Sequence, residues 1–183
     1  MLILFAALKP PDHVLDKICA RQKGVDGMRW SPRENLHITL GYFGPVSDDY
    51  AEILDRELAL NPGDGFELAL AGADTFGGSR PHTLWLGVKQ NPALLALHRH
   101  VRAAARRSKI EMEARKYTPH LTLAYVTPAT DRVALAHKVQ RLQSYTSKRF
   151  FVDEFALYSS NPQKAGANIY IKEANYPLLR AKS

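Results

Sequence analysis

The chain has 183 residues, a length typical of one domain or of two small lobes packed closely together. Apolar residues make up 45% and charged residues 23%, a composition that excludes a disordered or fibrous protein. The net charge of +7 favours a polyanionic partner such as nucleic acid, although a soluble protein with a merely basic surface would show the same balance. One cysteine, Cys19, excludes an internal disulfide and indicates the cytoplasm, and no apolar run is long enough to predict a membrane-spanning helix.

The first half of the chain predicts alternating strands and helices. The apolar run 2–8 predicts a strand, and Pro10-Pro11-Asp12 starts a short helix. Residues 35–43 alternate well enough to predict a second strand, which Gly44-Pro45 ends. A helix then begins at Ser47, and two more strands are predicted at 66–73 and 83–89.

The second half repeats this scheme. Asn91-Pro92 opens a helix, residues 120–126 form a strand, and another helix runs from Thr130-Asp131 to about residue 143. Strands at 150–159 and 168–172 complete the order. This internal near-duplication predicts an α+β fold rather than a doubly wound parallel sheet.

One tetrapeptide occurs twice, as His37-Ile38-Thr39-Leu40 and as His120-Leu121-Thr122-Leu123, 83 residues apart. Alternate side chains of a strand share a face, so each copy offers an imidazole and a hydroxyl about 7 Å apart. If the two halves are related by a pseudo-two-fold axis, both copies face one cleft. A lone His-x-Thr is usually the exposed face of a strand, but two copies in corresponding places indicate a functional site.

The residue types in this repeat suit one kind of chemistry. Two histidines beside one reacting centre can act as a neutral base and a protonated acid near neutral pH. Two hydroxyls can hold the non-bridging oxygens of a phosphate during an in-line displacement. The repeat therefore predicts acid–base phosphoryl transfer on a phosphodiester, with neither a metal ion nor a thiol nucleophile.

The sequence around both copies resembles a known family. Arg29-Trp30, Glu34-Asn35-Leu36 and Phe43-Gly44 around the first copy are similar to the first signature of the two-histidine (HxTx) phosphoesterases. The segment Tyr117-Thr118-Pro119 with the second copy is similar to the second signature. More narrowly, the chain resembles bacterial and archaeal RNA 2′,3′-cyclic phosphodiesterases, also called 2′-5′ RNA ligases, over almost its whole length.

The resemblance implies a single two-lobed domain over residues 1–183, with two antiparallel sheets lining a central cleft and helices on the outside. It implies metal-free opening of a 2′,3′-cyclic phosphate to a 2′-phosphate, and the reverse joining of RNA ends. By the same resemblance His37 is the proton donor, His120 is the proton acceptor, and Thr39 and Thr122 bind the phosphate.

The chain departs from the family at one position. Many relatives carry an arginine two residues after the second tetrapeptide, where this chain has Tyr125, which we expect to be among the substrate-binding residues. We therefore expect another cation near the phosphate, and the candidates are Lys116, Arg115 and Arg80.

Aromatic residues flank both copies of the repeat. Phe43 and Tyr117, together with Tyr42 and Trp30, are candidates for stacking on an RNA base. Packing in the core is the alternative for each of them.

We expect a monomeric cytoplasmic enzyme that binds RNA ends or nucleoside 2′,3′-cyclic phosphates and needs no cofactor, membrane or obligate protein partner. Two alternatives stay open. One is an enzyme of the same fold that acts on another cyclic phosphate or on a 2′-5′-linked oligonucleotide. The other is a non-catalytic module that binds RNA ends, against which the two intact His and Thr pairs count.

Overall fold

Strands and helices alternate along residues 1–179, the part of the chain that the computed structural model describes. The strands are β1 (Leu2–Leu8), β2 (Arg29–Trp30), β3 (Ile38–Val46), β4 (Phe66–Leu68), β5 (Leu70–Phe76), β6 (Thr83–Val88), β7 (His120–Tyr125), β8 (Phe150–Val152), β9 (Glu154–Asn161) and β10 (Ile169–Pro177). The helices are α1 (Asp12–Cys19), α2 (Asp48–Ala59), α3 (Pro92–Arg107) and α4 (Arg132–Leu142), with a short 3-10 helix at Arg33–Asn35.

Two antiparallel sheets contain all of these strands. In residues 1–179 the larger sheet has eight strands in the order β10-β9-β1-β3-β7-β6-β5, with β2 beside β7, and β4 pairs with β8 in the smaller one. The predicted α+β architecture with antiparallel sheets is confirmed. In the part of the chain that the structure describes, β3 and β7 are joined by a single residue pair, Ile38 with Leu121, which divides the larger sheet into two lobes. One lobe contains β10, β9, β1 and β3, and the other contains β7, β6, β5 and β2.

The two lobes of the larger sheet do not correspond to the two halves of the sequence. Strands β5 and β6 follow the first copy of the repeat along the chain, yet they lie beside the second copy on β7. Strands β9 and β10 follow the second copy, yet they lie beside β1 in the lobe of the first. Each copy of the repeat is therefore supported by strands from the opposite half of the chain.

The helices pack against the sheet through their apolar faces. Helix α3 begins where the Asn91 side chain accepts a hydrogen bond from the Leu94 backbone N–H, and it packs against β3 and α2. Helix α4 begins in the same way at Asp131 and packs against β5. One continuous apolar core joins these helices to the sheet. No helix in residues 1–179 has both the length and the apolar content needed to cross a bilayer.

Candidate active site

A cavity of about 500 Å³ lies where the two lobes meet, and both copies of the repeat line it. The side chains that they contribute are His37, Thr39, His120 and Thr122. The two copies meet in antiparallel orientation at the Ile38–Leu121 pair, and the His and Thr of each copy are the residues on either side of that pair along the chain. The structure thus brings two imidazoles and two hydroxyls to one cavity in a pseudo-two-fold arrangement.

The two histidines are held by the same backbone contact. The Nδ1–H of His37 donates to the carbonyl oxygen of Asn35 at 2.7 Å, and that of His120 donates to Thr118 at 2.7 Å. In both cases the acceptor lies two residues earlier, so the same tautomer is favoured and Nε2 is left for chemistry. The Nε2 of His37 is 3.0 Å from the Thr39 hydroxyl, which can donate to it.

Each imidazole packs against aromatic rings of its own lobe. His37 lies 5.0 Å from Phe5 on β1 and 5.4 Å from Tyr170 on β10, between ring centroids. His120 lies 4.8 Å from Phe76 on β5 and 5.8 Å from Trp85 on β6. These rings shield both histidines from water on one side.

This shielding favours the neutral form of both imidazoles. Burial is the main reason that the pKa of His37 falls from 6.5 to about 4, and the neighbouring His120 contributes to the same shift. Burial also lowers the pKa of His120, and the positive charge of Arg115 acts in the same direction. A bound phosphate would supply the negative charge that makes protonation favourable again.

A β-bulge follows the threonine in each copy of the repeat. On β3, Thr39 pairs with Ala7 and Gly41 pairs with Ala6, so Leu40 is an extra residue. On β7, Thr122 pairs with Trp85 and Ala124 with Leu84, so Leu123 is the extra residue. A bulge reverses the alternation of side chains, and the third residue after each threonine therefore returns to the cavity side.

The residues that the bulges direct into the cavity are Tyr42 and Tyr125. Their exposed fractions are 55% and 37%, and the two residues before each of them are buried. The repeat is therefore six residues long, HITLGY at 37–42 and HLTLAY at 120–125. This longer match was present in the sequence and would have favoured Tyr42 over Phe43 as a stacking candidate.

The structure corrects the prediction that Phe43 and Tyr117 line the site. Phe43 is only 6% exposed and belongs to the core, because it follows Tyr42 on the strand and points to the opposite face. Tyr117 stacks on the imidazole of His98 with ring centroids 3.8 Å apart, and its hydroxyl donates to the carbonyl oxygen of Thr39 at 2.9 Å. Tyr117 therefore supports the strand of the first repeat from outside the cavity.

The cations around the cavity also differ from those expected. Arg115 lines it, whereas its neighbour Lys116 is exposed outside the lining, and Arg80 lies at a separate concavity beside α4. Arg29 lines the cavity as well, and the sequence patterns did not identify it as a site residue. The two-residue strand β2 carries no periodic signal that would have placed its side chain.

Arg29 and Tyr125 are direct partners across β2 and β7. The Arg29 guanidinium carbon lies 4.5 Å from the centroid of the Tyr125 ring, which is a cation–π contact. One guanidinium nitrogen also donates to the carbonyl oxygen of Gly166 at 3.4 Å. Where the resemblance led us to expect an arginine, the cavity thus has a tyrosine with an arginine packed against it.

Residues 1–179 contain no group of three or more His, Cys, Asp or Glu side chains arranged to hold a metal ion.

The comparisons with known proteins agree on one family. Residues 10–164 match the family model described as the 2′-5′ RNA ligase superfamily. A protein of Escherichia coli (strain K12) named RNA 2′,3′-cyclic phosphodiesterase is 31% identical over 162 residues, which cover 86% of each chain. A protein of Geobacillus stearothermophilus with the same name is 32% identical over 155 residues, or 83% of this chain, and this match spans only 48% of that longer protein.

The fold is also shared with a solved structure. E. coli LigT complexed with 3′-AMP superimposes with a TM-score of 0.78 and 26% sequence identity, over 98% of this chain and 99% of that one.

Proposed function

The chain belongs to the 2′-5′ RNA ligase superfamily, and from this membership we propose that it hydrolyses 2′,3′-cyclic phosphates of RNA ends or nucleosides to 2′-phosphates without a metal ion. The observation that carries the proposal is the convergence of His37, Thr39, His120 and Thr122 on one cavity. The substrate class follows from the names of the relatives.

Hydrolysis proceeds by attack of water on phosphorus. Nε2 of His120 accepts a proton from the water as the new P–O bond forms, and the P–O3′ bond breaks. His37 gives its proton to the departing 3′ oxygen, so the product carries a 2′-phosphate and a 3′-hydroxyl. Exchange of protons with solvent then restores both imidazoles.

The threonines and the cavity cations act on the phosphate itself. The hydroxyls of Thr39 and Thr122 donate to its two non-bridging oxygens as negative charge builds up on them. Arg29 and Arg115 add positive charge at the same cavity. The phosphate anion in turn raises the pKa of both histidines, which provides the protonated His37 that the acid role requires.

Ligation uses the same groups with a different nucleophile. A 5′-hydroxyl replaces water, its proton goes to His120, and the 3′ oxygen again takes the proton of His37. The product is a 2′-5′ phosphodiester.

The test is turnover of the four nucleoside 2′,3′-cyclic phosphates in EDTA, with the position of the product phosphate determined by phosphorus NMR. We expect 2′-phosphates, and a loss of several orders of magnitude in kcat for His37→Ala and for His120→Ala. The double variant should lose little more than either single one, because the two histidines act as one unit. His137→Ala, at an exposed position on α4, is the matched control and should retain full activity.

Three results would contradict the proposal. Loss of activity in EDTA would show a metal requirement, and a 3′-phosphate product would show that the other oxygen leaves. Salt-sensitive RNA binding without any turnover would favour the non-catalytic module instead.

The roles of the two histidines are tested with a phosphodiester whose leaving group is an acidic phenol. Such a leaving group departs without protonation, so it should restore much of the activity of His37→Ala and none of that of His120→Ala. Rescue of His120→Ala alone would reverse the assignment.

A further inference from the structure

We propose that Tyr42 and Tyr125 are a matched pair of base-stacking platforms, which bind the two nucleosides on either side of the reacting phosphorus. The inference rests on the proposed function, and it names residues that the two histidines and two threonines leave out. It makes the cavity a site for two nucleosides rather than one.

The first support is the position of the two rings. Both tyrosines stand three residues after the threonine of their repeat, one in each lobe, and both line the cavity. In regular strands this spacing would send the side chain to the face opposite the threonine. Two separate bulges, at Leu40 and Leu123, bring both rings back to the cavity.

The second support is the surroundings of the rings. Tyr42 and Tyr125 are the two large side chains of their repeats that stay exposed. Aromatic side chains with free faces stack on bases of any sequence. The rings are therefore available to a ligand that also reaches the histidines.

The proposed proton transfers decide which nucleoside each ring takes. The leaving 3′ oxygen is protonated by His37, so its ribose and base lie towards the lobe of β3 and Tyr42. The attacking oxygen gives its proton to His120, so in ligation the nucleoside with the 5′-hydroxyl lies towards β7 and Tyr125. Nucleophile and leaving group are then on opposite sides of the phosphorus, as an in-line displacement requires.

Arg29 makes the second platform different from the first. Its guanidinium covers one face of the Tyr125 ring and leaves the other face for a base. Residues 1–179 offer Arg29 no acidic side chain within ion-pair distance, so its charge remains available to the phosphate or the incoming nucleotide.

The experiment compares the binding of two ligands by calorimetry. One is a nucleoside 2′-phosphate, and the other is a 2′-5′-linked dinucleoside monophosphate that lacks the internal 3′-hydroxyl and so cannot be cleaved to a cyclic phosphate. We expect wild-type protein to bind the dinucleotide more tightly. Tyr125→Ala should weaken dinucleotide binding by about 5- to 150-fold, the usual size of base–aromatic stacking, and leave the mononucleotide unchanged. Tyr42→Ala should weaken both ligands by a similar factor.

Tyr42→Phe and Tyr125→Phe are the matched controls, because they keep the ring and remove the hydroxyl; both should bind like wild type. The proposal is overturned if the alanine variants bind both ligands like wild type, if Tyr125→Ala weakens both ligands equally, or if the phenylalanine variants lose as much affinity as the alanine ones. Binding is read without turnover, so these results are independent of whether wild-type protein hydrolyses the cyclic phosphates.

Discussion

His37 and His120 share a tautomer, a backbone hydrogen bond and an aromatic environment, yet the proposed reaction requires one to be protonated and the other neutral. Their lowered pKa values mean that the empty site holds few protons at neutral pH. In the proposed mechanism, the charge of the substrate is therefore part of the acid–base machinery.

We expect the pH profiles of kcat/KM and of kcat to have different maxima, because the charge of the bound substrate changes the pKa of both histidines. The pH profile of kcat/KM reports the pKa values of the free enzyme. This bell-shaped profile should therefore reach its maximum below pH 6.5, the ordinary pKa of histidine. The profile of kcat reports the substrate complex, in which the phosphate raises both pKa values, so its maximum should lie at higher pH. Steady-state kinetics from pH 4 to 9 checks both. Coincident maxima would contradict the role of the substrate charge, and a flat kcat from pH 5 to 9 would contradict two-histidine catalysis.

The sequence identified His37, Thr39, His120 and Thr122 because a repeat of uncommon residue types is visible without any structure. It favoured Phe43 over Tyr42, because period-2 alternation says nothing about a bulge until the pairing with the neighbouring strand is known. Arg29 was missed for a related reason, since its position depends on pairing with a strand almost a hundred residues later.

At the scale of elements, the first repeat depends on contacts that replace strand pairing. Beyond the Ile38–Leu121 pair, β7 diverges from β3. The hydroxyl of Tyr117 then donates to the carbonyl oxygen of Thr39, and Nδ1 of His98 donates to that of Leu40 at 2.7 Å. These bonds hold the bulged segment that carries both Thr39 and Tyr42.

We expect Tyr117→Phe to lower the free energy of unfolding by about 1 kcal/mol, because it removes one part-buried hydrogen bond and keeps the stacking on His98. It should also lower kcat, because Thr39 becomes less well positioned. Denaturant unfolding and steady-state kinetics measure the two effects. Tyr50→Phe on α2, whose ring is 43% exposed, is the control and should change neither quantity. An unchanged stability of Tyr117→Phe would show that the stacking alone holds the segment.

The helices and most strands could be predicted from local patterns, since caps, proline positions and apolar periodicity are local properties. The separation of β4 from β5 and of β8 from β9 could not, because short breaks depend on which sheet each piece joins. The short strand β2 was not predicted, for the same reason.

The exchange of strands between lobes concerns the whole molecule. The lobe of His37 combines β1 and β3 with β9 and β10, and β1 lies between β3 and β9. Contacts between residues about 150 positions apart leave no local trace in a sequence, so the apparent duplication suggested two lobes without showing which strands belong to each.

We expect a chain ended at residue 149 to lose cooperative unfolding and all activity, because β1 would lose its partner β9 and the core would lose Phe155 and Leu157. Circular dichroism and turnover of a cyclic phosphate measure these losses. Adding a peptide of residues 150–183 should restore activity, which serves as the control for aggregation. A cooperatively folded 1–149 fragment would contradict this view of the lobe.

Because β9 and β10 belong to the lobe of His37, a chain under synthesis can complete the cavity only after these late strands have been made. Tyr170 on β10, one of the two rings that shield His37, follows every other described strand out of the ribosome. Until it arrives, both histidines and both threonines already exist, but His37 lacks the Tyr170 ring that shields it from water on that side. A nascent chain therefore carries the complete motif before it can have the active site, and completion of β10 separates the two stages.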